Sequence, residues 1–158
     1  MKRLFFLFLL ISSTAAAQTL TLRKATMQTL NHGASPTSST TYNILVCNCK
    51  KGSWSIDSVI SVSSGQSVNF TLFKTDDPKV PSRKYRKIES LSGLGTGDYQ
   101  ITFSVTKNRG SGRPGAPQNT KADTTNIDGG VIIYYSMKKN KGQMKIDAFE
   151  ELERIDAP

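Results

Sequence analysis

Two cysteines, Cys47 and Cys49, stand in a C-x-C arrangement and are the only thiols in the chain. On one strand, side chains two apart share a face with Cα atoms about 6.5 Å apart, near the upper limit for a disulfide. A bridge therefore requires a local bend, and Asn48 with the following Lys50-Lys51-Gly52 is the place for one. Two soft thiolates are also a candidate metal pair for Cu(I) or zinc, with Met27, His32 or Met144 as further ligands if folding brings them near. No second C-x-x-C or H-x-x-x-H follows. The same pair therefore also reads as packed neutral thiols or as an oxidised pair.

Catalytic signals are scarce. His32 is the only histidine, which excludes sites that need two. It could serve a Ser-His-Asp triad, but no serine sits in a G-x-S-x-G elbow, and Asn31-His32-Gly33 reads as a solvated loop. Asp57, Glu89, Asp98, Asp123, Asp128 and Asp147 could be combined into carboxylate pairs for glycoside hydrolysis, yet none is singled out, and the solvent face of strands accounts for them. Gly110 to Gly115 lacks the G-K-[ST] ending of a phosphate loop, and Pro114 and Pro117 oppose a following helix. Asp76-Asp77 lacks the spacing of a calcium loop and reads as a turn opener before Pro78. No catalytic residue and no cofactor is expected.

Cations offer a second candidate site. Lys79, Arg83, Lys84, Arg86 and Lys87 surround Tyr85 within nine residues, and Arg113 lies in a later glycine-rich stretch. On a strand, Tyr85 and Lys87 share one face while Lys84 and Arg86 share the other, which spreads the charge. Such runs protect sheet edges as well as bind anions. The chain holds 21 Lys+Arg against 12 Asp+Glu, a net charge of +9. A field of this sign keeps a protein soluble and attracts anionic partners. Nucleic acid is not expected, because no recognition helix is visible and the chain reads as exported.

Export is read from the N-terminus. Lys2-Arg3, the apolar run Leu4 to Ile11 and the small residues Ser12 to Ala17 form the three parts of a signal peptide in order, with cleavage expected after Ala17. The run of eight is too short to span a bilayer, and no later stretch does better, so no transmembrane segment is expected after cleavage. Residues 18–158, with 19 cations and 12 carboxylates, are then one secreted or periplasmic domain.

What must position these residues is a set of strands. Tyr99, Ile101, Phe103 and Val105 alternate with polar residues over Asp98 to Lys107. Ser53 to Ser63 alternates too, and Ser64-Gly65-Gln66 then reads as a hairpin turn into Val68, Phe70 and Leu72. Val131 to Tyr135 is apolar on both faces, as a central strand is, and a turn over Lys138 to Gly142 leads to Met144, Ile146 and Ala148. Leu20 to Leu30, Tyr42 to Cys49 and Tyr85 to Leu91 are further strands. Asn31 to Thr41, Thr75 to Lys84 and Asn108 to Asp128 read as loops. One helical competitor exists, a turn over Ala148 to Ile155. The fold class is all-β: an antiparallel β-sandwich or small barrel of about seven to eight short strands, with that C-terminal helical turn as an option.

Long polar loops on such a scaffold, without a catalytic constellation, point to a non-enzymatic binding module that recognises a protein or glycan, an anionic one included. A metal-binding or thiol-redox protein using Cys47 and Cys49 is the alternative, and an unrecognised hydrolase comes third. The layout is similar to that of many small exported β-sandwich proteins of Gram-negative bacteria.

Overall fold

The computed structural model describes residues 20–32, 37–49, 51–75, 85–108, 127–138 and 140–157, so the leader 1–17 lies outside them. Among the described residues there are ten strands and no helix. They are β1 (Leu20–His32), β2 (Thr37–Asn48), β3 (Trp54–Ser61), β4 (Thr71–Thr75), β5 (Tyr85–Ile88), β6 (Gly97–Asn108), β7 (Val131–Met137), β8 (Asn140–Ile146), β9 (Glu150–Glu151) and β10 (Ile155–Ala157). A large sheet has the order β10-β1-β2-β6-β4-β5, with β9 also pairing β1, and a small sheet has the order β3-β7-β8. The architecture is a β-sandwich of two open sheets; it is not closed into a barrel.

Period-two alternation decides what each sheet buries. On β6, Tyr99, Ile101, Phe103 and Val105 turn inward, and on β2 Tyr42, Ile44 and Val46 do the same. They meet Trp54, Ile56 and Val59 of β3, Val131, Ile133 and Tyr135 of β7, and Met144 and Ile146 of β8 in one core. Each such aliphatic side chain contributes roughly 1.5–3 kcal/mol by leaving water. Towards one end, the Tyr42 ring stacks on Phe103 at 5.0 Å and meets the edge of Phe149 at 5.0 Å. Opposite Tyr135 stands Gly142, where a Cβ would come within 2.5 Å of the tyrosine ring; glycine makes room for the aromatic group.

Several expectations need correction. Among the described residues eight strands of four or more residues are joined by the two- and three-residue β9 and β10, and three are not short, at 13, 12 and 12 residues for β1, β2 and β6. The expected Asn31–Thr41 loop shrinks accordingly: His32 ends β1, and Thr37 already begins β2. Threonine, β-branched, is favoured in strands, and cross-strand hydroxyl pairs support the polar rows, as Thr29 and Thr40 at 3.1 Å illustrate. β3 and β4 do not form a hairpin of one sheet. The turn near Gly65 closes with Ser61 N–H to Gln66 O at 2.9 Å and Val68 N–H to Val59 O at 2.8 Å, then the chain crosses to the large sheet. β7 is the centre of the small sheet, but Ile132 and Tyr134 on its outer face are only half-buried, because nothing in the small sheet stacks a second layer there. The C-terminal segment is not a helical turn. β9 and β10 lie parallel along β1, with Leu30 opposite Ile155 and Thr26 opposite Glu150, so the chain uses its end to cover an edge that would otherwise be open.

Candidate functional site

Register across the large sheet lines up one row of residues: Thr21 on β1, Cys47 on β2, Asp98 on β6, Thr75 on β4 and Tyr85 on β5. Directly paired residues point to the same face, here the face turned away from the core. Cys47 is 7 % exposed, whereas Cys49, just past the end of β2, is exposed. Leaving the ladder after Asn48 frees Cys49 to swing towards its neighbour, and the two sulfurs lie 2.6 Å apart.

Two further side chains complete the cluster. β1 shifts register between Leu22 and Lys24, which makes Arg23 the extra residue of a bulge. Bulges re-aim side chains. Here the Arg23 Nη2 comes within 3.9 Å of the Cys49 Sγ. From the other side, the Asp98 carboxylate faces Cys47, and its Oδ1 is buried without a hydrogen-bond partner among the described residues, as is Thr75 Oγ1. Buried polar atoms left unpaired are uncommon and concentrate attention on a site. Burial, the Cys49 sulfur and the Asp98 carboxylate push the Cys47 thiol up to about 11, against the opposing pull of the Arg23 guanidinium.

Beneath the row, Asn48 anchors the C-x-C turn to the core. It is 1 % exposed, and its Nδ2 donates to Gly95 O at 3.0 Å. The same carbonyl accepts from Trp54 Nε1 at 3.0 Å and from Tyr99 Oη at 3.1 Å. Trp54 and Tyr99 meet edge to face at 5.2 Å, so three polar side chains seal this end of the sandwich around one oxygen.

A titration prediction follows for the reduced protein. A thiol at about 11 when folded and at its ordinary 9.0 when unfolded holds its proton more tightly in the native state. Its contribution to stability is complete below about pH 9 and is lost as pH rises towards about 11. Tyr42 and Tyr99, both raised by burial, titrate in the same direction, so the comparison must be with Cys47→Ala. The thermal midpoint of the reduced wild type should fall more steeply from pH 9 to pH 11 than that of the variant; parallel curves would refute the assignment.

Other sequence candidates disperse. Met27 pairs with Tyr42 and faces the core, Met144 lies in the small sheet, and His32 sits eleven positions along β1 from the partner of Cys47. Among the described residues no three His, Cys, Asp or Glu side chains converge to hold a metal ion. Asp57, at a register shift in β3, accepts hydrogen bonds from Ser136 and Ser55, at 2.5 and 3.3 Å, and Asp147 pairs with Lys145 at 2.6 Å. Asp123, Lys79, Arg83, Lys84 and Arg113 lie outside the described residues. Arg86 and Lys87 are exposed on β5, on opposite faces as expected, and neither forms an ion pair with a described carboxylate.

The register also sets the two ends of the large sheet apart. β2 and β6 pair from Thr37 with Asn108 at one end to Asn48 with Gly97 at the other, about 35 Å away. Asn108, the last described residue before 109–126, stands at the first end, and Thr75 and Tyr85, which flank 76–84 in sequence, stand at the second, in the row that holds Cys47. No family model, curated protein or solved structure matches this chain. Sequence reasoning missed Arg23 altogether and gave Asp98 no role. The only signals available for them, a lone cation and a lone acid on alternating strands, acquire meaning once register sets them beside the thiols.

Proposed function

We propose that the exported domain is a non-enzymatic binding module that holds an anionic protein or glycan at the end of the large sheet where the β4–β5 hairpin projects. One observation carries this reading: Tyr85, Arg86 and Lys87 are all exposed on the edge hairpin, without an ion-pair partner among the described residues, on the end that also presents Arg23. The Phe73 ring meets Tyr85 edge to face at 6.2 Å and steadies an aromatic surface between the cations. Such a surface offers charge for an anion and an apolar plane for a sugar ring or a side chain. Lys79, Arg83 and Lys84 add cations to the same hairpin in sequence, and the 108–128 segment with Arg113 is the second contact surface.

Two soluble probes test it, the sulfated polysaccharide heparin and an acidic polyglutamate peptide. The double variant Arg86→Glu/Lys87→Glu should weaken binding of at least one probe by about three- to tenfold at low salt. Because both side chains are exposed, the thermal midpoint should stay nearly unchanged. Equal binding by wild type and variant would remove the hairpin from the interface. For the second surface, deletion of residues 110–118 should likewise spare the fold while weakening capture of the partner.

A further inference from the structure

We propose that Cys47 and Cys49 form a thiol–disulfide exchange centre in which the exposed Cys49 attacks the disulfide of a small anionic compound and the buried Cys47 resolves the product. The proposal is independent of the hairpin surface. Its basis is division of labour within one cluster. Cys49 lies outside the ladder and open to solvent, where an incoming disulfide can reach it, with the Arg23 guanidinium 3.9 Å from its sulfur. Cys47 is held in β2 with its sulfur 2.6 Å from that of Cys49, so a bridge forms without moving the sheet. Asp98 stands directly across from Cys47 with a buried, unpartnered Oδ1, and burial, with Asp98 adding to it, keeps Cys47 a thiol.

The chemistry balances as two displacements. Cys49 thiolate attacks one sulfur of RSSR; the Cys49–SR bond forms, the S–S bond breaks, and RS⁻ leaves to be protonated. Cys47 then gives up its proton to solvent and attacks the Cys49 sulfur. The Cys47–Cys49 bond forms and the second RS⁻ leaves. Two electrons pass from the protein dithiol to RSSR, which yields two RSH. A structural bridge is the weaker account, because closing a three-residue ring removes little chain entropy and the strand already holds both residues. Arg23 at the attacking sulfur, with Lys51 exposed two residues on, selects an anionic disulfide over a cationic one.

The test uses the mature chain, reduced and freed of reductant without air. Oxidised glutathione is the anionic probe and cystamine the cationic one, and products are followed by intact-protein mass. Wild type should pass through a transient single glutathionyl adduct and end lighter by two hydrogens, with two glutathiones released. Cys47→Ser should stop at the adduct, and Cys49→Ser should react at least about tenfold more slowly. Arg23→Gln should slow adduct formation severalfold with oxidised glutathione and erase its advantage over cystamine. The mass sequence in wild type decides the question even if a variant misfolds. A persistent adduct in wild type, full reactivity of Cys49→Ser, cystamine reacting as fast as oxidised glutathione, or a bridge that millimolar reduced glutathione cannot open would each overturn the proposal. So would a firmly bound copper or zinc ion that blocks the reaction.

Discussion

Replacing Gly130 with alanine should destabilise the protein by about 4 kcal/mol or more, enough to leave much of the chain unfolded at 37 °C. Gly130 has φ +89, a region that a residue with a Cβ occupies at a penalty of roughly 1–2 kcal/mol. A Cβ there would also lie 1.9 Å from the Ile146 carbonyl oxygen, and 2.9 Å from its carbon. Backbone, unlike a side-chain tip, cannot step aside. Relief would require β7 and β8 to part where Val131 pairs with Ile146, and both side chains are core. Gly130 also accepts from Val62 N–H at 3.0 Å and donates to Ile127 O at 2.8 Å, so any shift breaks the small sheet's link to the β3 turn. Gly65→Ala is the control: φ is +66 but nothing lies within 4 Å, so about 1 kcal/mol is expected. Urea titration of the two variants checks the contrast. Similar midpoints would show that the β7–β8 corner yields more easily than its geometry implies.

Trp54→Ala should be nearly as damaging, at about 3–5 kcal/mol. The side chain is buried between the sheets, and its removal takes away both the edge contact with Tyr99 and one of three donors to Gly95 O. Trp54→Phe separates the two effects, since it keeps a ring and loses the donor. It should cost about 1 kcal/mol for the hydrogen bond, plus the trimmed ring volume. The larger variant carries a functional consequence as well. Asn48 holds the C-x-C turn through that same oxygen, so a loosened Gly95 should let iodoacetamide reach Cys47 faster than in wild type. Stability within about 1 kcal/mol of wild type in Trp54→Ala, or unchanged alkylation, would separate the cysteine turn from the seal below it.

Much of the architecture was legible because alternation is a local property. Tyr99-x-Ile101-x-Phe103-x-Val105 is a buried face in any antiparallel setting, and the structure buries each of those four. Where reading failed, the competing influence was another element. Phe149, Leu152 and Ile155 recur at helical spacing, yet the β1 edge offers unsatisfied backbone groups along Thr26 to His32, and pairing with them fixes the segment as β9 and β10. Ser64-Gly65-Gln66 is a true turn, and Ser67 and Val68 fold back on β3, but from Thr71 the chain pairs within the large sheet, so Leu72 does not continue the hairpin. The polar outer face behaves likewise: Gln100 Nε2 and Thr102 Oγ1 both reach Asn43 Oδ1 at 2.9 Å, a contact across 57 and 59 positions.

The cysteine site divides along the same line. Composition and order of residues were enough to establish an all-β chain, to locate its principal inward-facing side chains and to single out a thiol pair that needs a bend, since each depends on neighbours a few positions apart. That Arg23 bulges towards Cys49, that Asp98 faces Cys47, and that Thr75 and Tyr85 share their row came from strand register. Register is a long-range agreement among β1, β2, β4, β5 and β6 over how their buried faces pack, and no single stretch of chain contains it.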